Sequence, residues 1–303
     1  MKKLIVTLSL AALILLALFV AQSKKQAKTA SAEEKGIPFV TLNNGIKMPI
    51  LGFGTFSLYG ETAENSVAEA IAVGYRLIDT ATTYGNEEFV GKGIEKSGID
   101  RKELFITTKL WVSDMGYESA KKAFELSLQK LGVEYIDLYL IHRPRGDVKG
   151  SWMAMEELYK EGKIRAIGVS NFEQNQLDEL LSYATVKPAV NQIEANPFFQ
   201  QYEAQNQLEK TDVQMEAWSP FAGGKHDIFN NPVLTAIGEK HNKSAAQVVL
   251  RWLIQRDVIT IPRTSNRAHM LENLDVFDFG LDEEDIKQIN ALDTKSTQFP
   301  EWE

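Results

Sequence analysis

The sequence predicts an α/β chain of the (β/α)8 TIM barrel class, and three observations predict it. Eight short apolar or β-branched runs recur along the chain, at 49–55, 77–80, 104–109, 136–142, 166–170, 189–194, 213–218 and 258–262. Helical patterns fall between them, with apolar residues at three- and four-residue spacing, so the strands are joined by crossover helices and run parallel. The rival open, doubly wound sheet lacks its main mark: GFGTF at 52–56 follows the first strand without the third glycine of GxGxxG.

Ahead of the barrel, Lys2 and Lys3 precede an apolar run over 4–21, LIVTLSLAALILLALFVA. Its length as a helix is about 27 Å, close to the thickness of a bilayer core. Residues 1–23 therefore read as a signal peptide or an uncleaved transmembrane anchor. Residues 24–36, KKQAKTASAEEKG, read as a flexible linker. These segments predict a membrane-associated or exported protein, with the membrane contacted through 4–21 if the leader stays. With an uncleaved anchor the body is expected to face the cytoplasm, Lys24, Lys25 and Lys28 then forming the inside flank.

The folded body is expected over 37–303. VTLNNGIKMPIL at 40–51 places Asn44-Gly45 between alternating apolar residues, which signals an N-terminal β-hairpin able to plug the barrel floor. Helical periodicity then recurs at 61–75, 119–132, 150–163, 174–184 and 201–211. The acidic run at 282–285 reads as the exposed first turn of a C-terminal helix, and His226 and His241 as surface residues.

Composition narrows the chemistry. The 303 residues carry a formal charge of −8 and no cysteine, which excludes thiolate catalysis and cysteine-held metals. Six lysines and two glutamates fall in 1–35, leaving 27 basic and 39 acidic residues in the body, near −12. An acidic body argues against nucleic acid as a partner. Four scattered histidines show neither HxxxH nor HExxH spacing, so no metal site is expected.

Active sites of this fold lie at the C-terminal ends of the strands. There the chain places Asp79, Lys109, His142, Ser170 with Asn171, Gln192, Glu194, Ser219 and Arg263, and Tyr84 follows Asp79 on its loop. A phenol donates poorly near neutral pH, but a neighbouring ammonium lowers its pKa. Lys109 can supply that charge, Asp79 can hold Lys109 charged, and His142 can bond a substrate oxygen. The set describes acid–base work on a carbonyl or alcohol with no obvious nucleophile.

From about Val40 to Phe279 the chain resembles the aldo/keto reductase family. The resemblance rests on LGFGT, GYRLIDTATTYGNEEFVGKGI, LFITTKLW, DLYLIHRP, KIRAIGVSNF, PAVNQIEANPFFQQ, EAWSP and IPRTSNRAHMLENLDVFDF. Within the family it is most similar to bacterial 2,5-diketo-gluconate and glyoxal (methylglyoxal) reductases, because the segment after His142 is short and the chain ends soon after Leu292.

The resemblance implies reduction of aldehydes, α-dicarbonyls or keto sugars by an NADP-dependent oxidoreductase. Tyr84 would be the general acid, tuned by Lys109 and Asp79, while His142 orients the carbonyl and Trp111 forms part of the substrate wall. Ser170, Asn171 and Gln192 would hold the nicotinamide carboxamide, Trp218 would stack on its ring, and Ser219, Pro220 and Phe221 would line the pyrophosphate path. Gly54 and Thr55 would approach the cofactor from the first loop.

After the last strand, Ile261, Pro262, Arg263, Thr264, Ser265, His269, Glu272 and Asn273 would receive the far end of the cofactor. NADPH is the expected cofactor, with NADH possible because His269 stands where the family usually has arginine, and imidazole lacks the charged fork that grips phosphate. The alternative is a membrane-tethered nucleotide-binding regulatory subunit of the same fold, which an intact Asp79, Tyr84, Lys109 and His142 disfavours.

Overall fold

A computed structural model describes residues 36–302. A short antiparallel hairpin comes first, β1 (Phe39–Thr41) against β2 (Lys47–Pro49). Its Gly45 sits at φ 84°, a conformation that favours glycine in the turn. Eight parallel strands follow: β3 (Phe53–Gly54), β4 (Leu77–Asp79), β5 (Phe105–Leu110), β6 (Ile136–Ile141), β7 (Ile164–Ser170), β8 (Val190–Glu194), β9 (Gln214–Trp218) and β10 (Ile259–Thr260). Neighbours in sequence are neighbours in the sheet from β3 to β10.

The two ends of that sheet meet. Gly52 N donates to Thr260 O at 2.8 Å, Thr260 N to Ile50 O at 3.0 Å, and Gly54 N to Pro262 O at 3.0 Å. A Cβ on Gly54 would lie 2.7 Å from Ile261 O, so glycine is what lets the two segments approach. The barrel is therefore closed, as the strand count predicts.

The helices α1 (Gly60–Val73), α2 (Glu87–Ser97), α3 (Tyr117–Leu131), α4 (Val148–Lys160), α5 (Gln174–Tyr183), α6 (Tyr202–Lys210), α7 (Pro232–His241), α8 (Ala245–Gln255), α9 (Arg267–Leu274) and α10 (Glu283–Asn290) complete the chain. Their sequences explain them locally. Ala120, Ala123, Phe124, Ser127 and Leu131 put one buried stripe on α3, and Gly132 ends it in the left-handed conformation. Capping boxes start α5 at Glu173 and α8 at Ser244.

The hairpin is a plug. Leu42 and Met48 are buried with Leu77, Phe105, Leu138, Leu140, Val190 and Ile259 inside the barrel. Asn43 Nδ2 donates to Pro188 O and Asp212 O, and Asn44 Nδ2 to Arg165 O, each at 2.9 Å. These carbonyls lie at or before the starts of β7, β8 and β9, which fixes the plug at the floor and leaves the strand ends open.

Three expectations change. The first strand expected at 49–55 is divided, because Pro49 pairs with Phe39 in the hairpin and only Phe53 and Gly54 pair with β4. Asp285 is buried: Lys240 and His241 close on it at 2.8 and 2.7 Å, and Asp282 caps the helix. The membrane-associated or exported placement is withdrawn: among the described residues no helix is long and apolar enough to cross a membrane. The leader at 1–23 and the linker up to residue 35 lie outside the described residues.

Candidate active site

Alternation along a strand sends Asp79, Lys109 and Gln192 into the barrel from β4, β5 and β8. Lys109 is fully buried, and its ammonium donates to Asp79 Oδ1 at 2.7 Å, Asp79 Oδ2 at 2.8 Å and Thr80 O at 2.9 Å. Gln192 Nε2 donates to Asp79 Oδ2 at 2.9 Å. Asp79 thus holds an ammonium and an amide instead of capping a helix. Burial alone would lower the Lys109 pKa, but the charges of Asp79 and Tyr84 outweigh it and hold it above its ordinary value.

Tyr84 reaches the same ammonium from the loop after β4, with 3.4 Å between Lys109 Nζ and the phenolic oxygen. Fully buried Asn86 fixes that loop. Its amide donates to Thr55 O at 2.8 Å and Leu58 O at 3.0 Å, and its Oδ1 accepts from Thr80 Oγ1 at 2.8 Å. Thr82 Oγ1 donates to Lys109 O, a second tie beneath the phenol.

The pKa of Tyr84 departs from the expected direction. Burial pushes the phenol up, Lys109 pulls it down, Asp79 pushes it up again, and the balance is upward. Lys109 moderates the shift without reversing it. Tyr84 keeps its proton at neutral pH.

His142 follows β6 and meets Tyr84 edge to face, ring centroids 5.8 Å apart. Trp111, just beyond β5, meets His142 the same way at 5.0 Å. Burial, with Lys109 and Arg143 adding like charge, holds the imidazole well below its ordinary pKa, so it is neutral at pH 7. The expected catalytic residues and substrate wall come together at one opening.

The residues expected to hold a nicotinamide are also gathered there, and they bond one another. Ser170 Oγ donates to Gln192 O at 2.8 Å, and Asn171 Nδ2 to His142 O at 3.0 Å. Trp218 Nε1 donates to Asn171 Oδ1 at 2.9 Å. Asn171 has φ 60°, and α5 begins only at Gln174 under the Glu173 capping box, so Ser170 and Asn171 are not helix caps. Thr55 is buried with its N–H and hydroxyl both on Asp79 O, at 3.0 and 2.9 Å. Gly54, as shown above, serves barrel closure.

Ser219 turns the chain after β9 at φ 52°, Pro220 is buried, and Phe221 meets Phe229 at 5.4 Å. Beyond β10, Ile261 and Pro262 are buried while Arg263, Ser265 and His269 are exposed and Thr264 is half-buried. Arg263 forms no ion pair with any described residue, whereas Arg267 is engaged by Glu69 at 2.5 Å. Glu272 is half-buried on α9, and Asn273 is buried with its side chain on the Tyr75 hydroxyl. Asn273 is thus already committed to the core. The donor set is of a kind that fits a dinucleotide: amides and an indole at the strand ends, and beyond β10 an exposed guanidinium with no ion pair among the described residues.

Sequence reasoning missed the tail. Phe299 and Trp302 stack at 4.6 Å and 15°, both lie against Trp218, and Trp302 meets Phe56, which in turn meets Tyr84 at 5.1 Å. Glu194 anchors this tail, accepting from Thr297 Oγ1 at 2.5 Å and Gln298 N at 3.1 Å. FPEW at 299–302 is aromatic, but nothing local in it says that it returns to the barrel mouth.

A model of the aldo/keto reductase family matches residues 50–294. The chain is 52% identical over 255 residues to the glyoxal reductase of Bacillus subtilis, covering 84% of this chain and 92% of that one. It is 46% identical over 271 residues to the morphine 6-dehydrogenase of Pseudomonas putida, covering 85% and 92%. Among solved structures, an aldo/keto reductase from Brucella melitensis matches with a TM-score of 0.82 at 47% identity, over 85% of this chain and 100% of that one. The Bombyx mori aldo-keto reductase in complex with NADP matches with a TM-score of 0.83 at 35% identity, over 87% and 95%.

Proposed function

The chain belongs to the aldo/keto reductase family, and from that premise we propose that it reduces small aldehydes, α-dicarbonyls or keto sugars to alcohols with NADPH. The observation that carries this reading is the contact of Tyr84 with an ammonium that is itself saturated by Asp79 and Thr80. A bound nicotinamide dinucleotide supplies the hydride. All else is done by the chain's own residues.

Tyr84 gives its proton to the carbonyl oxygen as charge develops there, and Lys109 stabilises the phenolate that remains. Neutral His142 offers a ring N–H to the same oxygen and fixes its angle, while Trp111 limits the space beside it. Ser170, Asn171 and Gln192 hold the carboxamide edge, and Trp218 supports the ring. Arg263 and Thr264 receive a 2′-phosphate, so NADPH is preferred; His269 offers no permanent charge, which leaves NADH usable at lower efficiency.

Two names among the relatives support a carbonyl or alcohol substrate: glyoxal is a dicarbonyl, and the morphine enzyme is called a dehydrogenase. The test is NADPH oxidation against a panel running from methylglyoxal to keto sugars. Turnover of small dicarbonyls is expected, and cofactor binding with no turnover across the panel refutes the reading.

A further inference from the structure

β9 carries a buried carboxyl that the chemistry above leaves unused. Glu216 lies two residues before Trp218, so both point into the barrel, with Glu216 one layer deeper. It is fully buried, and neither carboxyl oxygen has a hydrogen-bond partner among the described residues. Its register neighbours are Gln192 on β8 and Ile259 on β10. Gln192 Nε2 is directed at Asp79 Oδ2, at 2.9 Å.

The charged and titratable groups acting on Glu216 come from elsewhere in the barrel. They are Asp79 of β4 and Lys109 of β5; Tyr84 on the loop after β4 responds to Glu216 in turn. Lys109 makes no direct bond to Glu216: its ammonium is engaged by Asp79 Oδ1, Asp79 Oδ2, Thr80 O and, at 3.4 Å, the Tyr84 hydroxyl. An ionised Glu216 would thus be buried close to the Asp79 charge, with no donor near it but the Gln192 amide that Asp79 already engages, an arrangement that disfavours ionisation.

We propose that Glu216 is a positioning residue for the reduction: it holds a proton at neutral pH and, by losing it in alkaline solution, keeps the Tyr84 hydroxyl protonated as pH rises. Burial, and after it the Asp79 charge, push the Glu216 carboxyl up to about 8, which agrees with the geometry. The sign follows from charge. A carboxylate at Glu216 opposes a phenolate at Tyr84, so proton loss at the first delays proton loss at the second. The proposal rests on the reading of Tyr84 as proton donor.

Two measurements on the full chain test it. Carboxyl 13C NMR of glutamate-labelled protein should show one glutamate titrating in the neutral to alkaline range, absent from Glu216→Gln. If every glutamate titrates below about pH 6, the proposal is overturned, and this holds even if the variant fails to fold. With methylglyoxal and NADPH, Glu216→Gln should match wild-type kcat within about twofold at pH 6.5, with its alkaline limb shifted to lower pH by about half a unit or more. Superimposable profiles, or a shift to higher pH, overturn it. Absence of wild-type turnover overturns the reductase reading and this role with it, whereas ordinary titration alongside intact turnover overturns the role of Glu216 alone.

Discussion

Lys109 Nζ lies 2.7 and 2.8 Å from the two carboxylate oxygens of Asp79, with both side chains removed from water. Removing one partner of such a pair leaves a buried charge uncompensated. Asp79→Ala is therefore expected to destabilise the fold by about 3 kcal/mol or more, read from denaturant unfolding. Turnover should fall with it. Stability within about 0.5 kcal/mol of wild type would mean that the pair is not what holds the site.

His142 predicts a pH dependence of stability. Its folded-state pKa lies well below 6.5, so between that value and 6.5 the unfolded chain binds a proton that the native chain does not. The stability is present above pH 6.5 and is lost as pH falls through the folded value. Unfolding curves from pH 7 to 5 should steepen in wild type relative to His142→Asn. Parallel curves would show that the native imidazole takes up its proton over the same pH range as the unfolded chain.

Arg263 is an exposed cation without an ion-pair partner among the described residues. Arg263→Ala should raise KM for NADPH by about tenfold, the worth of one charge-assisted contact, and move KM for NADH much less. His269→Arg should lower KM for NADPH. Wild-type preference for NADH of more than about tenfold in kcat/KM would reverse the cofactor assignment.

The aromatic tail predicts a split between substrates. Trp302 stacks on Phe299 and meets Phe56 beside Tyr84, so a bulky aromatic aldehyde would lie against it while methylglyoxal would not. Trp302→Ala should raise KM for the aromatic aldehyde by about two- to tenfold and leave methylglyoxal unchanged. Equal effects on both would place the tail's influence on the fold.

The sequence makes the barrel and the strand-end residues legible because strand alternation and strand ends are local patterns. Asp79, Lys109 and His142 each close an apolar run, and Asn44-Gly45 marks its hairpin. What stays hidden depends on three-dimensional balance. The raised pKa of Tyr84 needs the burial around it to outweigh Lys109. The orphaned carboxyl of Glu216 becomes evident only once the donors around it are seen to be committed elsewhere. Asp285 reads as one of four acidic surface residues until Lys240 and His241 arrive from α7.

In the proposed reduction Tyr84 supplies the proton. Single-turnover reduction of methylglyoxal by NADPH, compared between wild type and Tyr84→Phe, tests it most directly, with cofactor affinity measured separately by quenching of tryptophan fluorescence. The expected result is a loss of about 10²–10⁴-fold in the chemical step with cofactor affinity unchanged. A Tyr84→Phe rate within about threefold of wild type would contradict it.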